Sequence, residues 1–245
     1  MCLSHCRLCT RAAILRESHI FPRFLFTALR NEKGHFLGIS GNGRYGVDVL
    51  QDGLKEHLLC DECEALCSVE YERPFQRLWM SRRHQVLTSP WHPDKTLTLN
   101  VDYRSFKLFH LLNLWRSSIS SLPSCRSISL GPHEESIRKM LLSKDPGPEE
   151  KYAVSAHAMY DGATLQIPKF FHPALAFRDG PRRAYQMAYG GARWTVLISC
   201  GGAPNHRRVS LKAGGTIELT GVDWRKLESV RFASSLLRDK PPRPQ

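Results

Sequence analysis

The chain has 245 residues, 42% of them hydrophobic, which suffices for one large domain or two small ones. Glycine and proline are near average, no apolar run reaches the roughly 18 residues a membrane span needs, and the first residues lack the basic flank and apolar stretch of a secretory signal. These features exclude wholesale disorder and a spanning helix, and they read as a soluble, cytoplasmic protein without a membrane partner. Thirty-five Lys and Arg against 23 Asp and Glu leave a net charge of +12, and residues 178–245 hold 13 basic against 5 acidic residues. Such an excess suits a polyanion, because neutralising phosphates releases counterions; solubility alone is the bland alternative.

Residues 1–15 hold a tight Cys-x-x-Cys turn, and Glu17 to Pro22 reads as extended. Pro22 opens a predicted short helix over Arg23 to Arg30, where its missing N–H matters little. From Asn31 to Gly53 short apolar runs alternate with Gly34, Gly38, Gly41, Gly43 and Gly46, the pattern of a hairpin or loop. Glu64 to Met80 is predicted helical, with Leu66, Val69, Phe75 and Leu78 inward. Residues 81–100 are polar, contain Pro90 and Pro93, and read as a linker.

Asp102 to Ser120 is the strongest helical pattern, with Phe106, Phe109, Leu112 and Trp115 recurring at spacings of three. A helix over His133 to Leu142 follows the Gly131-Pro132 break. Strands are expected at Tyr152 to Tyr160 and Thr164 to Ile167. Hairpins are expected at Ala184–Tyr189 with Arg193–Ser199 around Gly190-Gly191-Ala192, and at Arg207–Lys212 with Thr216–Leu219. Asp223 to Leu237 reads as a closing helix capped by Asp223, and Pro241 to Gln245 as a frayed end.

Eight cysteines stand at 2, 6, 9, 60, 63, 67, 125 and 200. Cys6-Arg7-Leu8-Cys9 and Cys60-Asp61-Glu62-Cys63 each place two thiolates on one side of a tight turn, where both reach one tetrahedral Zn²⁺. Four thiolates leave no open position, so the zinc is expected to be structural. Cys67, Cys125 and Cys200 read as buried thiols. Arg182-Arg183 and Arg207-Arg208, beside predicted strands, are the best phosphate-contact candidates outside the zinc region.

Between the knuckles stands Glu17-Ser18-His19-Ile20-Phe21-Pro22, and Glu64 follows the last cysteine. This combination, over about Cys6 to Glu72, resembles zinc-stapled HNH (ββα-metal) endonucleases, which carry Asp-His-Ile-x-Pro between two such knuckles. It is also similar to a group of bacterial proteins that join these motifs to a Leu-x-x-Leu-Trp-Arg helix, here Leu111, Leu114, Trp115 and Arg116. The resemblance implies a metal-dependent nuclease acting on nucleic acid, most readily DNA, with a role in bacterial phage defence. His19 then takes the general base position, and Glu64 the position of a catalytic Mg²⁺ or Mn²⁺ ligand. Two positions depart from the pattern: Ser18 replaces a metal-binding Asp or His, and Lys55, left to touch phosphate, replaces an Asn that orients the base. Those departures leave open a catalytically inactive zinc module that binds nucleic acid or assembles with a protein partner. By residue chemistry alone, His19 could be a hydrogen-bonded bridge between strand and helix, and Glu64 a first-turn acid favoured by the helix dipole.

The expected architecture is α+β. A zinc-stapled, treble-clef-like ββα-metal domain covers 1–80, a linker 81–100, and a mixed helical and antiparallel-β accessory domain 101–245.

Overall fold

A computed structural model describes residues 3–40, 46–80, 86–179, 182–198 and 208–227. Helix α3 is built around its place at the centre: of 17 residues in Tyr103–Ile119 (numbered here in chain order with the elements below), 13 are buried. Asp102 caps it, its carboxylate accepting from Ser105 N at 2.8 Å. Apolar side chains run all round the helix, as burial on every side demands. The polar ones are held individually. Lys107 Nζ donates to Tyr103 Oη (3.0 Å) and Pro148 O (2.6 Å), and Ser117 Oγ donates to Asn113 O (2.8 Å).

Ahead of α3 the strands come in pairs. β1 (Ser4–His5) pairs with β2 (Ala12–Ala13), and β4 (Phe36–Ser40) with β5 (Gly46–Leu50). β3 (Leu15–His19) lies antiparallel to β6 (Lys55–Cys60), with His19 opposite Lys55. β6 runs directly into α1 (Asp61–Cys67), a π turn over Ser68–Glu72, and α2 (Arg73–Trp79). The inward residues of this stretch are Cys63, Cys67, Tyr71, Phe75 and Trp79, recurring every four positions, while Val69 is half exposed. A π turn takes more residues than the 3.6 of an α turn, so it resets a four-residue stripe that would otherwise drift round the helix. That phase change put Val69 outside and Tyr71 inside. Arg23–Leu29 forms a 3₁₀ helix, with Pro22 as the residue before it.

Residues 81–100 were expected to be linker; what is described of them is packed. Leu87 and Trp91 are buried, Lys95 Nζ sits 4.7 Å from the Trp91 ring, and Thr96–Asn100 is strand β7. One buried cluster runs from Cys6 through Trp91 and α3 to Leu219.

Beyond α3, α4 (Pro132–Ser143) precedes four strands: β8 (Val154–Tyr160), β9 (His172–Asp179), β10 (Arg182–Tyr189) and β11 (Ala192–Leu197). With β7 and β12 (Thr216–Asp223) they form a six-stranded sheet ordered β7-β12-β8-β11-β10-β9. Only β12 with β8 is parallel among these neighbours. Gly190 (φ 63) and Gly191 (φ 79) close the β10–β11 hairpin with the two positive φ angles of a type I′ turn. The fold is thus mixed α and β, with four α-helices and several sheets among the described residues.

Several local expectations are corrected. Thr164 to Ile167 is not a strand: Asp161 Oδ1 accepts from Ala163 N (2.9 Å) and Thr164 N (3.1 Å), folding the chain into a turn. β9 was not expected, because Pro173 and its exposed positions suit only the sheet edge where it lies. The first arm of the second expected hairpin is a turn at Arg208–Val209 with one bridge, Ser210 to Ser155. Asp223 does cap a turn, but that turn is a 3₁₀ helix over Trp224–Lys226; the rest of the expected helix, and Pro241 to Gln245, lie outside the described residues.

Candidate metal centre and adjoining cleft

The first knuckle is shaped by its hairpin. Cys6 N donates to Arg11 O (3.0 Å), Thr10 N to Cys6 O (2.8 Å), and Arg7 N ties the turn to Leu58 O of β6 (3.0 Å). The second knuckle sits where β6 becomes α1, with Cys60 as the residue preceding the helix. The pairing of β3 with β6 brings the two together. The four sulfur atoms lie within 4.8 Å of one another, and Cys9 Sγ is 3.8 Å from Cys60 Sγ. A tetrahedral Zn²⁺ with Zn–S of about 2.3 Å separates its sulfurs by about 3.8 Å, so the cluster fits a zinc ion. None of the four is in a disulfide. Burial pushes the Cys63 thiol far above its ordinary range, and the neighbouring thiols add to that; a cation among them would reverse it. Burial is the largest single influence on Cys9 and raises it, but hydrogen bonds from the Arg11 side chain and backbone and from Cys6 and Cys63 together outweigh it, leaving Cys9 lowered to about 6. Cys67 and Cys125 are buried apart from the cluster; Cys200 lies outside the described residues.

Beside this centre lies a cavity of about 500 Å³, lined by His19, Pro22, Arg23, Phe24, Thr27, Arg30, Glu64, Glu72, Gln76 and Arg116. His19 ends β3, Glu64 lies in the first turn of α1, Glu72 ends the π turn, and Arg116 comes from α3. The cavity is therefore made by β3 and the helical stretch that follows β6, by the 3₁₀ helix with its flanking Pro22 and Arg30, and by the central helix.

Burial holds the His19 imidazole below its ordinary pKa of 6.5, with the Lys55 charge acting the same way, so the ring is neutral at neutral pH. Its Nε2 is shielded from solvent and has no hydrogen-bond partner. Glu64 is engaged: Ser18 Oγ donates to its Oε1, and Arg116 Nη2 to its Oε2 at 3.3 Å. Arg116 Nη1 donates to Glu72 Oε1 at 2.6 Å. Arg116 is 1% exposed, so its charge is carried by these two carboxylates.

The four predicted thiolates thus converge, and both His19 and Glu64 face the same cavity. The other candidates lie elsewhere. Lys55 is bound to Asp52 (2.8 Å) and Glu17 (3.3 Å) and is not part of the cavity lining. Arg182 and Arg183 sit on β10, where Arg183 lies 5.5 Å from the Tyr185 ring. Arg208 pairs with Glu218 at 2.9 Å, and Arg207 lies outside the described residues. Glu72 and Arg30 went unassigned in the sequence, and Arg116 was marked only as part of the Leu-x-x-Leu-Trp-Arg motif. The available signal was an arginine next to Trp115 in a helix whose pattern marks it as buried, which obliges a carboxylate partner somewhere in the fold.

No protein family, no curated protein and no solved structure matches this chain. No helix among the described residues is long and apolar enough to cross a membrane.

Proposed function

We propose that this protein is a phosphodiester hydrolase of the HNH type acting on nucleic acid, most readily DNA, on a scaffold stapled by one structural zinc. Cys6, Cys9, Cys60 and Cys63 would hold that ion, whose role is to lock the first turn onto the β6–α1 junction. One observation carries the reading: a neutral imidazole, its Nε2 without a partner, lines a cavity with three arginines at the end of an antiparallel strand pair that leads into a helix.

In this reading the His19 ring first turns its shielded Nε2 into the cavity, where it removes a proton from water as the water oxygen bonds to phosphorus. The P–O ester bond breaks, the departing oxygen takes a proton from solvent, and His19 returns its own to solvent. The products are a phosphomonoester and a hydroxyl. A base already neutral at neutral pH suits this step.

The donor set does not fit the catalytic Mg²⁺ or Mn²⁺ that the resemblance implies. Among the described residues the four cysteines are the one group of three or more His, Cys, Asp or Glu whose ligand atoms lie close enough together to share an ion. Glu64, the expected ligand, is already bound to Ser18 and Arg116. No step above passes through a divalent ion. The same engagement of Glu64 favours the second reading, a zinc module that binds nucleic acid, or a protein partner, without cutting.

The deciding experiment is plasmid nicking by the zinc-loaded wild type and His19→Ala, each in chelator-free buffer with no added divalent ion, with Mg²⁺ or with Mn²⁺. The expected loss is about 10²- to 10⁴-fold with zinc content and melting unchanged. Because burial depresses the His19 pKa, the acid limb of the rate profile should fall below pH 6.5. A wild type that cleaves neither DNA nor RNA under any of these conditions would end the nuclease reading.

A further inference from the structure

Arg73 and Arg77 lie one turn apart on α2, both exposed, and neither has an ion-pair partner among the described residues. The acids of the same helical stretch are engaged elsewhere: Glu70 holds Arg104 (3.3 Å) and Lys144 (2.9 Å), and Glu72 holds Arg116 (2.6 Å). Other exposed arginines of the fold are matched, Arg16, Arg208 and Arg225 each meeting a carboxylate at 2.8, 2.9 and 2.7 Å. Like charges one turn apart repel, so this pair does nothing for the helix that carries it.

The pair borders the cavity. Glu72 and Gln76 line it, and Arg73 and Arg77 each stand one position further on. Phe75 meets Phe24 of the 3₁₀ helix at 6.4 Å, so that helix and α2 form adjoining parts of one rim. Arg23, which precedes Phe24 and also lines the cavity, has a side chain 66% exposed and 3.7 Å from Asp52. Asp52 also serves Arg30 (3.5 Å) and Lys55 (2.8 Å), and one carboxylate shared by three cations leaves positive charge over. Glu17 adds to Lys55 alone (3.3 Å). The floor is different: Glu64 and Glu72 match Arg116, and nothing there draws an anion in. We propose that Arg73 and Arg77, with Arg23, form a docking strip for the sugar-phosphate backbone of nucleic acid along the rim of the cavity. The occupant rests on the nucleic-acid reading above, whether the chain cuts or only binds; the place rests on where the uncompensated charge lies.

Side chains four apart on a helix stand about 5–6 Å from each other at Cβ, a separation that consecutive phosphates of one strand can bridge. A guanidinium presents a fork of N–H groups to each phosphate, and such contacts position a backbone without reading its sequence. A backbone held there runs past the cavity that His19 lines. The net charge of +12 favours the same class of partner.

The test uses the full zinc-loaded chain and a short fluorescein-labelled DNA duplex, with binding followed by anisotropy over a series of salt concentrations in chelator-free buffer. Arg73→Gln combined with Arg77→Gln should weaken binding about tenfold. It should also flatten the slope of log K against log salt by about two, one for each lost phosphate contact, and Arg23→Gln by about one. Arg126→Gln combined with Arg178→Gln removes the same charge from exposed positions elsewhere and should leave affinity and slope nearly unchanged. Zinc content and melting report folding; should the α2 pair disturb the fold, Arg77→Gln alone decides through a slope change of about one. Equal affinity and slope for wild type and the α2 variant overturns the proposal and leaves the nucleic-acid reading standing. Equal weakening by the control pair also overturns it, since total charge is then all that matters. A wild type that binds neither the duplex nor an RNA of the same length removes the nucleic-acid reading and this surface with it. Salt-dependent binding that needs Arg73 and Arg77, without plasmid nicking, upholds the surface and rejects the hydrolase reading alone.

Discussion

Residues 3–79 arrange their strands as three separate pairs, whereas residues 96–223 build one six-stranded sheet. A two-stranded ribbon is at best marginal in water by itself. The sheet has neighbours on both sides of its inner strands and a hairpin in which Tyr189 and Trp194 are fully buried. The first part borrows its order from elsewhere: four sulfurs clasp β6 and α1 to the N-terminal turn, and α3 supplies the apolar wall and Arg116. The lesson is that the part richest in chemistry is the part least able to hold itself together. Its cavity is walled by the strand pair, α1 and the 3₁₀ helix near the four-cysteine cluster, and by a distant helix that supplies Arg116.

The largest expected effect breaks this contrast directly. Cys60→Ser, or prolonged chelation, should remove about one zinc per chain and unfold residues 3–79. Structural zinc contributes on the order of 10 kcal/mol, comparable with the whole stability of a domain. Metal analysis and hydrogen exchange check this; protection should vanish first in β3, β6 and α1 and persist longest in β8, β10 and β11. A Cys60→Ser chain that holds no zinc and keeps full protection in β6 would dissolve the distinction between the two parts.

Arg116→Ala comes next. It leaves Glu64 and Glu72 facing the cavity without their counter-charge, and should lower stability by about 3 kcal/mol, measured by urea unfolding. The low end of the range applies because both carboxylates keep partial exposure to water.

Acid probes the junction between α3 and the sheet. His110 is wholly buried, its Nδ1 2.6 Å from the Tyr189 hydroxyl and its ring against Trp194. Burial holds its pKa well below 6.5, so the folded chain keeps it neutral while the unfolded chain protonates it as pH falls. Its contribution is therefore complete above pH 6.5 and lost progressively below. Unfolding at pH 7 and pH 5 should differ by about 2 kcal/mol from this group, near 1.4 kcal/mol per pH unit. A melting temperature unchanged between those values would contradict the neutral buried imidazole.

The smallest effect marks the contact between the two parts themselves. Trp79 Nε1 of α2 donates to Gly190 O at 2.9 Å, and a Cβ on Gly190 would fall 2.6 Å from that same nitrogen. With φ at 63, Gly190→Ala should destabilise by about 1 to 2 kcal/mol through left-handed backbone strain and displacement of Trp79. Gly34→Ala has open space around its Cβ and a similar φ, so it isolates the backbone share of that effect.

Much of the site's outline was legible in the amino-acid order because it depends on neighbours in sequence. Two Cys-x-x-Cys turns present paired sulfurs whatever surrounds them. Asp102 ahead of an apolar run declares a capped helix, and Gly190-Gly191 between alternating strands declares a tight hairpin. His19 at the end of an extended stretch and Glu64 at the start of a helix were placed correctly for the same reason.

The tertiary structure decided everything that depends on which distant groups meet. Trp91 and β7 looked like parts of a polar linker until a sheet edge and a core were there to receive them. β9 carries too weak a pattern to stand alone and is a strand because β10 offers it hydrogen bonds. The inward stripe through Tyr71 follows from a π turn that no helical period anticipates. Arg116 is the sharpest case. A buried guanidinium has no fixed meaning along the chain, because Coulomb attraction and desolvation depend on distance in space, and only folding sets it between Glu64 and Glu72 at the wall of the cavity.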